Sequence, residues 1–584
     1  TFYATAAQAS PTHPDRVLGE AESQLAVGQE GPATVQAVEK LPAAGDVLTA
    51  AQKARRSLVL GRLQSATGAH ALAIQTLQEG AKAFPERGFD FQLALGNALK
   101  GSGDMPAAQA AFEAAAAARP RSEEAREGLA RVLLARDRER EVLQRFAADE
   151  SRKMALVRGE AAVRLKDWKR ARAELARTQV AGRVPVEAVA LLALADAAEG
   201  EADKAVSVLE RTQASSKRPR TEVSVALGKI NWQRGVLDQA RAQFEQAMKD
   251  PRDWEGACAL GRLLLSKGAP EKALEPLSIS VQRNGSHGES RHAFSRALLA
   301  LGRGEDGLRQ AEAWLQENPA SAGAARDVAF AEAQLGRVKE AEGHLQRALQ
   351  RESADVDAQR LRAQLAFAKG DVRGGMQALE KANHLNPKDP ETFCAIGRGF
   401  LRQLNAGQAT KAYQAAVRED PDSVCGHVGQ VAVKPSAASP KARAQLQSLS
   451  AQAPRIWDRS AASATLARAL LAAGAIKESR HAAEQAVEQG GLIGEAHASL
   501  GSVLRRQKED PRAREELARA VQLDPGDASF RLALADALAG GSEAEVARAL
   551  VEYQTFLRLA PRAPEAARVK KVLPTLKKKA PSAK

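Results

Sequence analysis

The chain has 584 residues, of which 27% are charged and only 4% aromatic, and it carries a formal net charge of +14. Ala, Leu, Arg, Glu and Gln dominate; such side chains lose little rotamer freedom in a helix, while the β-branched, period-two runs of a sheet are scarce. No apolar stretch reaches the about 18 residues of a membrane span, and the ordinary globular domains that this length would suggest are disfavoured by the composition.

The first residue is Thr1, so the sequence reads as a processed or truncated form. Thr5–Ala9 (TAAQA) reads as the remnant of a cleavage site or, more simply, as an exposed linker. Residues 1–50 are weakly patterned and accommodate one degenerate helix pair.

From residue 51 a fixed period takes over. One position per period, the anchor, is held by Gly61, Gly96, Ala130, Gly159, Ala193, Gly228, Gly261, Ser295, Ala329, Ala363, Gly397, Gln430, Ala467, Gly501 and Ala535. Only Gln430 is not small. Seven residues after the anchor comes Gly (Gly68, Gly103, Gly200, Gly235, Gly268, Gly302, Gly336, Gly370, Gly474), and twelve after it Ala, as at Ala108 and Ala240. Sixteen after it comes Leu, Phe or Tyr, as at Leu77, Phe112 and Tyr413, and twenty-four after it Pro, as at Pro120 and Pro387. Small residues let two helices cross closely. The Gly turns the chain between them. The large apolar residue fills the space between a repeat and its neighbour, and Pro ends the second helix.

The main array spans 51–421. In 422–454, the run from Lys434-Pro435 to Ser439-Pro440 interrupts a first helix, which marks either a hinge or a degenerate repeat. The pattern resumes over 455–561. Residues 562–584 start as a capping helix and end in LKKKAPSAK, expected to be disordered. This basic end is a solvated tail or a contact for nucleic acid or anionic lipid.

The period, the Leu-Gly pairs (Leu95-Gly96, Leu227-Gly228, Leu260-Gly261, Leu500-Gly501), the Ala, the large apolar residue and the Pro together resemble the tetratricopeptide repeat family over roughly residues 50–561. The resemblance implies an all-α, right-handed superhelical solenoid of about fifteen helix-turn-helix repeats, with first helices lining a concave groove. It also implies stability shared between neighbours.

In that architecture a basic residue often follows the anchor: Arg62, Arg131, Lys229, Arg262, Arg296, Arg398 and Arg468. Three further on lies an apolar one, including Trp232, Leu265, Leu299, Phe367 and Leu401. The two positions are about one helical turn apart and share a face. A partner segment with acidic and apolar side chains suits such a surface. Acids seven residues before the basic position (Glu222, Glu255, Glu289, Glu391) support a competing reading, in which the Arg row is a structural ion network between repeats. Trp232 and Phe367 also read as packing residues.

Cys258, Cys394 and Cys425 are too few and too scattered for a disulfide framework or a zinc site, and read as free core thiols, which favours a reducing, cytoplasmic compartment over the periplasm. No phosphate-binding loop or H-E-x-x-H motif occurs, and His287 and His292 read as surface histidines. The expectation is therefore a non-enzymatic scaffold without metal or cofactor that organises a multiprotein assembly in a bacterial motility, pilus, secretion or envelope machinery. The alternatives are a periplasmic module of exopolysaccharide or envelope export, and the regulatory half of a truncated enzyme; nucleic-acid binding ranks below these.

Overall fold

A computed structural model describes residues 13–28, 31–41, 48–216 and 219–579. Thr5–Ala9 and the last five residues lie outside them. The described residues form helices and no strand; the one isolated bridge joins Val180 and Arg183 in a loop.

Two short helices, Pro14–Val27 (α1) and Pro32–Glu39 (α2), pack on Ala50–Ala66 (α3). From α3 onward first and second helices alternate, beginning with α3 and His70–Ala83 and ending with Ala528–Leu538 and Glu543–Leu559. From Ala50–Ala66 to Thr221–Gln233, and again from Ala322–Gln334 to Gly494–Arg506, each first helix packs on its own second helix (Val424–Val433 only barely) and on the next first helix, as Ala50–Ala66 does on Gly88–Ser102. The chain divides into two compact units, Thr1–Ser266 with Lys272–Phe294 and Lys267–Glu271 with Ser295–Lys584.

The turn chemistry follows the period closely. All nine glycines seven residues past an anchor have left-handed φ, from 68° at Gly268 to 98° at Gly200. Where glycine is missing, Asp137, Lys166, Leu404 and Lys508 take the same conformation at the same offset, with φ of 57°, 58°, 53° and 65°. The reason is hydrogen bonding: this kink lets the next N–H return to the first helix, as Arg138 N does to Leu133 O (3.0 Å) and Glu509 N to Leu504 O (3.0 Å).

The large apolar side chains are seated on glycine. A Cβ on Gly96 would come within 2.9 Å of the Phe112 ring, and one on Gly128 of the following repeat within 2.4 Å. Tyr413 lies in the same way on Gly397 and Gly429. One ring thus covers its own anchor and closes the joint to the next repeat. By this measure the anchor of the 424–452 repeat is Val431, not Gln430: Gly429 precedes it by two, as Gly128 precedes Ala130, and the N-cap Ser423 precedes it by eight, as Ser122 precedes Ala130. Gln430 itself is exposed.

In that repeat the first helix, Val424–Val433, stops before Lys434-Pro435; a short 3-10 turn follows, and the second helix starts with Pro440. At the C-terminal end, Ala566–Lys579 is one helix that buries Ala566, Val569 and Leu576 against the cluster containing Tyr553 and Phe556. Leu576–Lys579 is thus helical, because its apolar side is covered, where the sequence alone suggests disorder.

A correction concerns the thiols. Cys394 and Cys425 are not free: they form a disulfide, with Cα atoms 6.0 Å apart. The fold brings together cysteines from consecutive first helices. Only Cys258 remains a thiol, buried, with burial pushing its pKa up to about 12. His287 is also buried rather than at the surface, stacked on Trp254 with ring centroids 4.4 Å apart.

Candidate protein-binding face

The positions after the anchors lie on first helices, and most find partners within the chain. Lys229 pairs with Glu255 (3.3 Å), Arg262 with Glu289 (2.5 Å) and Arg468 with Glu495 (2.8 Å). Each bridge runs from one first helix to the first turn of the next. Arg131 pairs inside its own helix with Glu127 (2.9 Å). Arg62 and Arg398 are exposed and have no ion pair within 4.0 Å among the described residues. Arg296 stacks over the Phe330 ring at 4.1 Å.

The apolar row is split. Leu299 and Phe367 are buried, 3% and 4% exposed, and belong to the core instead of an open face. Leu299 packs with Leu308 and Val328; Phe367 occupies the space beside Gly375, with the Arg402 guanidinium 4.6 Å from its centroid. Trp232, Leu265 and Leu401 stay half-buried. The Trp232 ring meets Phe244 edge-on and has Arg262 at 5.5 Å from its centroid. Lys229, Trp232, Arg262 and Leu265 thus form one half-exposed patch over two consecutive first helices.

Their own and adjacent repeats cover Phe367 and most of Leu299, and a distant repeat of the same unit adds to the cover at Leu299. Trp457 packs on the Leu299 cluster and against Phe330, while Arg455 lies over Trp457 and bridges Glu391 (2.9 Å). Arg402 pairs with Asp524, 122 residues on, at 2.6 Å. The other unit has its own returns: Asn284 donates to Ala135 O (3.1 Å), Gly288 N to Asp137 (2.8 Å), and Arg164 pairs with Glu255 (2.9 Å). Burial alone would raise the Glu255 carboxyl, but Lys229 and Arg164 outweigh it and hold it at about 2. None of these long-range partners has a spacing that a repeat pattern would disclose. A shorter signal was legible: an Arg three before the anchor and an Asp twenty-nine residues further on, as in Arg326–Asp355 and Arg360–Asp389.

An open cleft of about 920 Å³ lies in the second unit, with Met376, Ile396, Phe400 and Leu559 among its apolar lining and Arg373 and Arg558 among its charges.

A family model described as tetratricopeptide repeat matches residues 93–148, 225–287, 331–390 and 464–528. These four segments are tetratricopeptide repeats. A search of curated proteins found no match. Among solved structures, the chain is similar to the APC/C hetero-tetramer Cut9-Hcn1, with 13% identity, 93% of this chain and 99% of that chain covered and a TM-score of 0.36. It is similar to a tetratricopeptide repeat protein from Parabacteroides merdae, with 18% identity over 42% of this chain and 97% of that one (TM-score 0.38). It is also similar to pilF of Pseudomonas aeruginosa, with 15% identity over 36% and 96% (TM-score 0.29). The candidate side chains are those that the first helices leave at least partly uncovered: the Lys229–Leu265 patch and Arg62 in the first unit, and Arg398 and Leu401 in the second.

Proposed function

We propose that this tetratricopeptide repeat protein is a non-enzymatic scaffold that holds segments of other proteins on its first-helix face and so organises a multiprotein assembly, in a bacterial setting such as motility, pilus, secretion or envelope machinery. The observation that carries the reading is the half-exposed patch of Lys229, Trp232, Arg262 and Leu265. It offers two cations, an indole and a leucine on adjacent helices, which suits a segment with acidic and apolar side chains. The cations are already paired with Glu255 and Glu289, but bridges of this exposure are worth about 0–1 kcal/mol, so an incoming carboxylate competes on nearly equal terms. Arg62 and Arg398 extend the same chemistry to two further repeats.

Affinity capture from the native source tests this reading. The Lys229→Gln/Arg262→Gln variant, with helicity unchanged by circular dichroism, should lose the partners that the parent chain retains. Identical capture by both would remove the patch from the function.

The Cys394–Cys425 disulfide favours one setting among these. Disulfides persist in oxidising compartments, which supports an envelope-assembly role outside the cytoplasm over a cytoplasmic one.

A further inference from the structure

Successive first helices of the second unit share a fastening. Three residues before the anchor, Arg326 reaches the N-cap Asp355 of the next first helix at 2.7 Å. One repeat on, Arg360 reaches the N-cap Asp389 at 3.0 Å. Each pair joins residues 29 apart and ties one first helix to the beginning of the next. One repeat further, the Arg position is Cys394 and the N-cap is Ser423, again 29 apart, with Sγ 3.8 Å from Oγ. Here the fastening is covalent: Cys394 is bonded to Cys425, two residues past the cap.

The change falls at an irregular repeat. Its first helix, Val424–Val433, which contains Cys425, has 10 residues against 13 for Pro390–Arg402. It barely touches its partner helix, Pro440–Gln452, which packs instead on the following first helix, Ile456–Ala472. A short first helix with so little contact to its own second helix opens at low cost. A cross-link restricts the chain once it has opened.

We propose that Cys394–Cys425 is a redox-set clasp: closed, it holds the 424–452 repeat on the array, and reduced, it lets that repeat loosen. Cys394 is fully buried, whereas Cys425 is partly exposed, so exchange starts at Cys425. In closing, the Cys425 thiolate attacks a disulfide donor R–S–S–R and expels one RS⁻. The Cys394 thiolate then attacks the Cys425 sulfur of the mixed disulfide and expels the second. Two cysteine thiols are oxidised, the donor is reduced to two thiols, and the two cysteine protons pass to them. A dithiol reverses the sequence. Cys258 takes no part: it is buried at the equivalent place four repeats earlier, and no cysteine pairs with it among the described residues.

The test uses the full chain exposed to oxidised glutathione, then unfolded in iodoacetamide and mapped by peptide mass. One alkylated cysteine, Cys258, and a linked Cys394–Cys425 peptide are expected; alkylation of all three overturns the proposal. Limited proteolysis then compares the oxidised and dithiothreitol-reduced chain. Cleavage within 434–440 should speed up about tenfold on reduction, as expected for a local opening made easier. The Cys394→Ser/Cys425→Ser variant should be cut at the fast rate with or without dithiothreitol, and Cys258→Ser should behave as the parent. Equal cleavage of the oxidised and reduced parent overturns the clasp, and that comparison decides the matter even where the double variant does not fold.

Discussion

Lys508 holds φ at 65° at the place in its repeat where Gly474, one repeat earlier, holds 81°. The turn imposes the conformation and the sequence supplies a residue that resists it. A side chain in the left-handed region costs roughly 1–2 kcal/mol, part of which glycine gives back as entropy lost on folding. Lys508→Gly and Lys166→Gly, both at exposed side chains, should therefore stabilise their repeats by up to about 1 kcal/mol. Slower amide exchange in the flanking helices, with far-ultraviolet circular dichroism unchanged, is the readout. Leu404→Gly should gain less, because Leu404 also packs on an apolar cluster.

Tyr413 leaves no room at Gly429, where a Cβ would sit 2.2 Å from the ring. Gly429→Ala should force the ring aside and cost on the order of 1–3 kcal/mol. Ala240, fully buried at a helix crossing, sets the same limit, and Ala240→Leu should cost a similar amount. Thermal unfolding checks both; unaltered stability in either variant would contradict the register.

Arg62 and Arg398 are exposed cations outside any ion pair among the described residues, so Arg62→Glu/Arg398→Glu should leave thermal stability within about 0.5 kcal/mol of the parent. Partner capture should fall in the same variant. A loss of stability without a loss of capture would assign them a structural role.

Two buried sites, one in each unit, should respond to pH with opposite sign. Burial, followed by the neighbouring Asp524, raises the Asp527 carboxyl from its ordinary 3.8 to about 7. Between those values the folded chain keeps a proton that the unfolded chain releases, so this contribution is present at low pH and is lost as pH rises toward 7. In the first unit, burial and Arg164 lower His287 from 6.5 to about 3 and Glu255 is held at about 2, while burial raises Asp137 and Asp253 from 3.8 to about 6. The two carboxyls offset the imidazole between those values; below about 4 the unfolded chain binds more protons, and stability is lost as pH falls further. Hydrogen exchange at 524–530 should accelerate from pH 5 to 7 after correction for intrinsic rates, and that at 285–291 from pH 4 to 3. Asp527→Asn should flatten the first dependence.

Much of the fold was legible because it is local. Tiny residues at helix crossings, a left-handed residue seven positions on and a ring sixteen positions on are demands that each repeat meets within itself and its immediate neighbour. The register failed by one at Val431, where Lys434-Pro435 shortens the helix and the anchor is not small. The candidate face was only partly legible. The position after the anchor puts Lys229, Arg262 and Arg468 on half-exposed first-helix surfaces, whereas the position three further on also selects Leu299 and Phe367, and these are core.

The sequence by itself determined the helix pairs, their turns and the face on which each cation stands, since all depend on contacts within one period. Only the tertiary structure decided which of those cations and apolar side chains remain uncovered, and that Cys394 meets Cys425. Small rotations from repeat to repeat add up until Arg402 reaches Asp524 and Arg164 reaches Glu255. That sum depends on every interface between, so no single period contains it.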